Sequence, residues 1–145
     1  GQDMLPGRKV QMKRVVFVCV HNSGRSQMAE AFAKRLGAGI VEAQSAGTKP
    51  IEGLNPTVVQ AMNEIGYDMI GHYPKLLTMD MANSADMLIT MGCGAAVEEE
   101  GATCPVADED WALDDPHGQS IEKVREIRDQ VKARVEDLIA RLKEN

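Results

Sequence analysis

The sequence predicts an α/β fold in which a parallel sheet is flanked by helices on both faces. Short runs rich in Val, Ile, Leu and Phe (Val15-Val16-Phe17-Val18, Ile40-Val41, Met87-Leu88-Ile89) alternate with segments whose apolar residues recur at helical spacing. The first run is apolar without alternation, as a strand buried on both faces requires. Gly37, Gly39, Asn55-Pro56 and Gly66 fall at the borders between segments. At 145 residues the chain makes one domain, large enough to bury about two-thirds of its unfolded surface.

In chain order, the first strand is expected over Lys13 to Val20 and the first helix over about Arg25 to Leu36, with Met28, Phe32 and Leu36 facing the core. Gly37 and Gly39 stop that helix, and Ile40 to Ala46 forms a second strand ending at Gly47. Asn55-Pro56 opens a second helix as a capping residue followed by proline in the first turn. Val58, Val59, Met62 and Ile65 give it an apolar face, and Gly66 ends it. A short helical turn is expected at Asp80 to Ala85, a third strand at Asp86 to Met91, and a fourth near Ala102 to Ala107. Gln119 to Lys143 is the longest helix, its stripe of Ile121, Val124, Ile127, Val131, Val135, Leu138 and Leu142 assigned to the core.

Composition narrows the function. A net charge of −6 argues against a general nucleic-acid binder, because phosphate backbones demand basic faces. No apolar run approaches a membrane span and no signal peptide is visible, so the expected setting is the cytoplasm. Residues 1–11, with Pro6 and Gly7, show no periodicity and read as a tail, leaving residues 12–145 as the domain and Met12 as a candidate start. Three cysteines, Cys19, Cys93 and Cys104, make an odd count, which turns attention from structural disulfides to reactive thiols. Zinc fits poorly: there is no Cys-x2-Cys pair, and His21, His72 and His117 are scattered.

The chemistry concentrates in Cys19-Val20-His21-Asn22-Ser23-Gly24-Arg25-Ser26, set between a strand and a helix. Backbone N–H groups of Val20 to Arg25 at a helix start, aided by the helix dipole, can cradle a tetrahedral oxyanion. Gly24 lets the backbone turn, and the Arg25 guanidinium can clamp two oxygens of the anion. The same field favours a thiolate at Cys19, making it a nucleophile. Ser26 can hydrogen-bond that sulfur or act on it as it departs. A lone cysteine at a strand end would ordinarily be a buried thiol; the strand–Cys-x5-Arg-Ser–helix context is far more specific. Open α/β sheets build sites beyond the carboxyl ends of their strands, where both Cys19 and Cys93 fall.

This loop, with Gln27-Met28-Ala29-Glu30-Ala31 after it, resembles the phosphate loop of low-molecular-weight protein tyrosine phosphatases, and more closely that of the arsenate reductases built on the same fold. Ser45-Ala46-Gly47, Asn55-Pro56, Gly66-Tyr67-Asp68 and Trp111-Ala112-Leu113-Asp114-Asp115-Pro116 extend the resemblance over nearly the whole chain. It implies a single-domain, four-stranded parallel sheet flanked by helices on both faces. It also implies that Asp115 is the general acid that protonates a departing oxygen. The alternative is that Asp114-Asp115-Pro116-His117-Gly118 is simply a turn.

Two features lean toward reductase. The phosphatases usually carry aromatic residues after Asp-Pro, where this chain has His117-Gly118-Gln119. The thiol-relay reductases place one cysteine after the third strand, matched by Cys93, and another before a proline, matched by Cys104-Pro105. The resemblance then implies that Cys19 attacks arsenate, Cys93 attacks Cys19, and Cys104 attacks Cys93 to leave a disulfide for thioredoxin. Gly92, Gly94 and Gly101 would give this loop its freedom. The Cys93–Cys104 spacing, with Glu98-Glu99-Glu100 between, is wider than usual in thioredoxin-coupled relatives, and Gly24 stands where a cysteine is often found. The alternative has Cys104 as a bystander, with reduction by a small thiol and glutaredoxin or mycoredoxin; for both cysteines the plain reading is a small buried hydrophobe.

Asn22, Glu30, Ser45 and Asp68 match residues that hold potassium in some relatives, an oxygen set suited to a hard cation. No other cofactor is expected beyond an external thiol reductant. His21 and His72 are assigned local hydrogen bonding, and Asn22 a structural part in the loop. The competing functions are a phosphatase acting on phosphotyrosine or a small phosphate ester through a Cys19 phosphoenzyme, and a non-enzymatic oxyanion-binding module.

Overall fold

A computed structural model describes residues 11–92 and 105–144; Cys93, Cys104 and the tail, Gln11 apart, lie outside them. The described strands are β1 (Lys13–Cys19), β2 (Val41–Gly47), β3 (Met87–Thr90) and β4 (Glu109–Asp110). They form one parallel sheet in the order β2-β1-β3-β4. The helices are α1 (Arg25–Leu36), α2 (Pro56–Asn63), the short α3 (Met79–Ser84) and α4 (Ile121–Lys143).

Alternation along β1 divides the core. Val15, Phe17 and Cys19 face a large cluster with Met28 and Phe32 of α1, Val58 and Met62 of α2, and Val124, Ile127, Val131, Val135 and Leu138 of α4. Val16 and Val18 face the other side, where Leu88, Leu77 and Met81 of α3 cover them. Helices therefore lie on both faces. β1 has strand neighbours on both edges, which is why its sequence is continuously apolar.

Local signals set the helix ends. The Asn55 side chain accepts from the N–H groups of Thr57 and Val58, with Pro56 in the first turn, and the Ser120 side chain accepts from Lys123 N. Leu36 and Ile65, expected in the core, are about one-third exposed: Leu36 closes α1, and Ile65 falls after the end of α2 in the turn to Gly66 (φ 83°).

The fourth strand is a correction. Residues 102–104 of the stretch expected to form it lie outside the described residues, and Val106 is exposed. Pairing falls instead on an acidic segment with no strand signature. Asp108 both donates its N–H to Leu88 O and accepts from Leu88 N with its carboxylate, and Trp111 N donates to Thr90 O. Tertiary partners override propensity here: Trp111 is buried against Phe17, and Glu109 accepts from Trp111 Nε1 and from both ends of the Arg141 guanidinium.

The Arg141 fork, assisted by Trp111, holds the Glu109 carboxyl below the usual carboxylate range. A carboxylate depressed in the folded state contributes stability that is complete above its unfolded value, near 4.5, and is lost as pH falls through the folded one. Arg141→Gln should thus lower the melting temperature at neutral pH by about 2–4 °C, a partly exposed pair being worth about 1 kcal/mol or less. Melting curves from pH 7 to pH 3 should show the gap to the parent narrowing below about pH 4.5; a gap of constant width would refute the assignment.

Candidate active site

The loop from Cys19 to Gly24 is shaped by the segment that follows β2. The carbonyls of Cys19, Val20, His21 and Ser23 accept from the N–H groups of Thr48, Lys49, Ile51 and Asn55. A planar peptide directs its N–H opposite to its C=O, so tying the carbonyls to this outer segment turns the following amides toward the opposite side. Asn22 N, donating to Cys19 Sγ at 3.1 Å, is one of them. Gly47 permits this close approach: a Cβ there would stand 2.5 Å from Val20 O. No side chain caps the start of α1 at Gly24, leaving its first-turn amides for an anion.

Behind the loop, buried polar groups orient one another. Lys75 N can only donate, and it donates to Asn22 Oδ1 (2.8 Å), which places the Asn22 Nδ2 group on Ser26 Oγ (2.7 Å). Ser26 thus accepts from Asn22 and has its own hydrogen for Cys19 Sγ, 2.8 Å away. The sulfur receives two donors, an arrangement suited to a thiolate. Gln27 Nε2 donates to the Asn22 and Tyr73 carbonyls and to Asn22 Oδ1, which leaves Gln27 Oε1 for His72 Nδ1 and fixes the hydrogen on that ring nitrogen. Burial holds His72 below the ordinary histidine value, favouring the neutral ring.

Cys19, Val20, His21, Ser23, Gly24, Arg25 and Asp115 line one pocket, whereas Asn22 and Ser26 are fully buried behind it. Arg25 is itself buried and donates from Nη1 to Leu113 O at 2.6 Å, joining the loop to the Asp-Pro segment. The neighbouring carboxylates diverge. Asp114 pairs with Lys123 at 2.8 Å, which holds it below the usual range. Asp115 reaches the pocket and accepts from His117 N. Gly24 packs against Pro116, and a Cβ at Gly24 would stand 2.8 Å from Pro116 Cγ. Gly24→Ala should therefore displace Asp115 and lower turnover by up to about 10²-fold, while the alkylation rate of Cys19 stays near that of the parent; equal turnover would show the contact to be idle.

Cys93 and Cys104 lie outside the described residues, but Gly92, to which Cys93 is bonded, is placed (φ 75°). A Cβ on Gly92 would stand 3.3 Å from Arg25 Nη1. Its N–H donates to Asp110 Oδ1, which also accepts from Thr90 Oγ1. Asp110 and Lys75 are functional candidates that sequence reasoning missed; they lie in a two-residue strand and after Pro74 in an irregular stretch, and no motif or periodicity marks them, while Gln27 belongs to the family motif but is assigned no role there.

The expected potassium set does not fit. Asp68 is exposed and accepts from Ile70 N within its own turn. Ser45 Oγ donates to Glu30 Oε1, and the Lys75 ammonium stands 3.5 Å from Ser45 Oγ and 3.7 Å from Glu30 Oε1. Asn22 Oδ1 already accepts from Lys75 N and Gln27 Nε2. The oxygens a metal ion would need face N–H donors instead.

A strand–loop–helix cradle with a cysteine at its base defines a class, and the chain belongs to the low molecular weight phosphotyrosine protein phosphatase family, whose model matches residues 14–145. Within it, the chain is 45% identical over 132 residues to a protein of Synechocystis sp. named glutaredoxin arsenate reductase, spanning 90% of this chain and 99% of the relative. The fold matches a solved arsenate reductase in its phosphate-binding state with a TM-score of 0.74 at 42% identity, over 90% of this chain and 99% of that one. It also matches a thioredoxin-dependent arsenate reductase of Corynebacterium glutamicum with a TM-score of 0.75 at 31% identity, over 98% of this chain and 66% of that one. No helix among the described residues is long and apolar enough to cross a membrane.

Proposed function

We propose that this protein is an enzyme that reduces arsenate to arsenite by thiol relay, acting in the cytoplasm, where thiols stay reduced. Cys19 attacks arsenic; an As–S bond forms, an As–O bond breaks, and Asp115 protonates the departing oxygen, which leaves as water. Arg25 and the loop amides hold the remaining oxygens. Cys93 then attacks Cys19: an S–S bond forms, the S–As electron pair passes to arsenic, and arsenite departs. Cys104 attacks Cys93, freeing Cys19 as thiolate and leaving a Cys93–Cys104 disulfide for an external reductant.

The observation that carries this reading over a phosphatase is the position of Gly92 against Arg25, a residue lining the Cys19 pocket, one covalent bond from a second cysteine. A hydrolase has no use for a thiol there. The divergence of the acidic pair supports Asp115 as the acid, since Asp114 is engaged by Lys123. Asp115→Asn should slow arsenate-dependent oxidation of Cys19 by about 10²–10⁴-fold in a single turnover, with Cys19 alkylation by iodoacetamide unchanged; a smaller loss would remove Asp115 from the first step.

The test supplies arsenate and follows NADPH loss with two donor systems, thioredoxin with its reductase, and glutathione with glutaredoxin. Turnover with either supports the reading, and Cys104→Ser separates the donors. Loss of activity in that variant with thioredoxin alone places Cys104 in the relay. Rapid cleavage of an aryl phosphate with no arsenate turnover under any donor would make the chain a phosphatase.

A further inference from the structure

Among the described residues the mechanism leaves two buried charges unused, Arg128, which pairs with Glu64 and Asp129, and Glu30. Glu30, on α1, is 5% exposed and is neutralised by two lysines. Lys34, one turn along the helix, meets Oε2 at 2.8 Å from a largely solvated position. Lys75 approaches the other oxygen from across the fold, and its surroundings differ. Its ammonium faces Ser45 Oγ (3.5 Å), Glu30 Oε1 (3.7 Å) and Tyr73 O (3.3 Å), with the Tyr73 ring centroid 5.4 Å away. Oxygens and a π face make a shell suited to a hard monovalent cation. The backbone of the same residue is tied to the active loop: its N–H holds Asn22 Oδ1, and its carbonyl accepts from Gly47 N. From Asn22 the chain of donors runs to Ser26 and to Cys19 Sγ.

We propose that Lys75 is a positioning residue whose ammonium serves as a built-in monovalent cation for the Cys19 loop, standing where an alkali metal ion would otherwise be required. The carboxylate of Glu30 and the hydroxyl of Ser45 are held by a charge that cannot dissociate, and Asn22 is fixed from the same residue. The wild-type chain therefore gains nothing from potassium. Removing the ammonium leaves Glu30, to which the buried Ser45 hydroxyl donates, facing an open cleft of about 450 Å³ lined also by Gln44, His72 and Tyr73, which gives an ion a way in.

The inference goes beyond the proposed reaction and does not rest on it, because its readout needs no arsenate. Cys19 alkylation by iodoacetamide, quantified on the Cys19 peptide, and the melting temperature are measured in choline, sodium and potassium chloride at equal ionic strength. Wild type and Lys75→Arg should be indifferent to the salt. Lys75→Ala should alkylate about tenfold more slowly than wild type in choline, and potassium should restore most of the rate and raise the melting temperature. If Lys75→Ala is unfolded in choline, recovery of a cooperative melt in potassium carries the same support, and an unfolded chain in all three salts overturns the proposal. Stimulation of wild type by potassium overturns it, as does a folded Lys75→Ala that matches wild type in choline or ignores potassium.

Discussion

Cys19→Ser is expected to abolish arsenate turnover, by about 10⁴-fold or more, without unfolding the chain. Cys19 is 4% exposed at the end of β1, and its side-chain atom accepts from Asn22 N and Ser26 Oγ. A serine oxygen can take both hydrogen bonds, so the loop should keep its shape and still bind phosphate with an affinity within about tenfold of the parent. What is lost is the nucleophile: a neutral hydroxyl held by two donors cannot act as a thiolate does, and no other cysteine lines this pocket among the described residues. Calorimetric phosphate titration beside the coupled turnover assay separates binding from chemistry. Turnover within about tenfold of wild type would move the reaction elsewhere.

Cys93→Ser should be nearly as damaging to arsenate turnover, and for a different reason. On the proposed relay, Cys19 still takes up arsenate, but no second thiol draws the sulfur away, so arsenite is released only as fast as an external thiol reaches a buried atom. Steady-state reduction should fall by about 10²-fold or more. Slow aryl phosphate hydrolysis, which needs only Cys19, Arg25 and Asp115, should persist. The two assays on one variant therefore move apart; a parallel loss of both would indicate damage to the loop and count against the relay.

Much of the fold was legible because local and global preferences agree. The apolar run of β1, the Asn55-Pro56 start of α2 and the stripe of α4 each act through their own residues, and each lies close to its expected place. β4 was not legible, since Glu109 and Asp110 become a strand only through Arg141, Trp111 and the edge of β3. The site divides in the same way. Cys19, Arg25 and Ser26 belong to one contiguous motif whose spacing has a physical reason. Asp115 was reached through the family resemblance, and its nearness to Cys19 depends on Gly24 against Pro116 and on Arg25 reaching Leu113. Lys75 was invisible because its role comes from a backbone N–H and a side chain acting on different partners, neither near it in sequence. The oxygens of the expected potassium set could be read from sequence, but the backbone and side-chain N–H donors that meet Asn22 and Asp68 in the fold could not.

The attack of Cys93 on Cys19 can be read most directly from a disulfide map after a single turnover. The Cys104→Ser variant, reduced and freed of reductant, is mixed with one equivalent of arsenate, quenched in acid and digested without reduction. A peptide pair joined through Cys19 and Cys93 should form in step with arsenite release. Arsenite formed while Cys19 and Cys93 remain free and unlinked would contradict the relay.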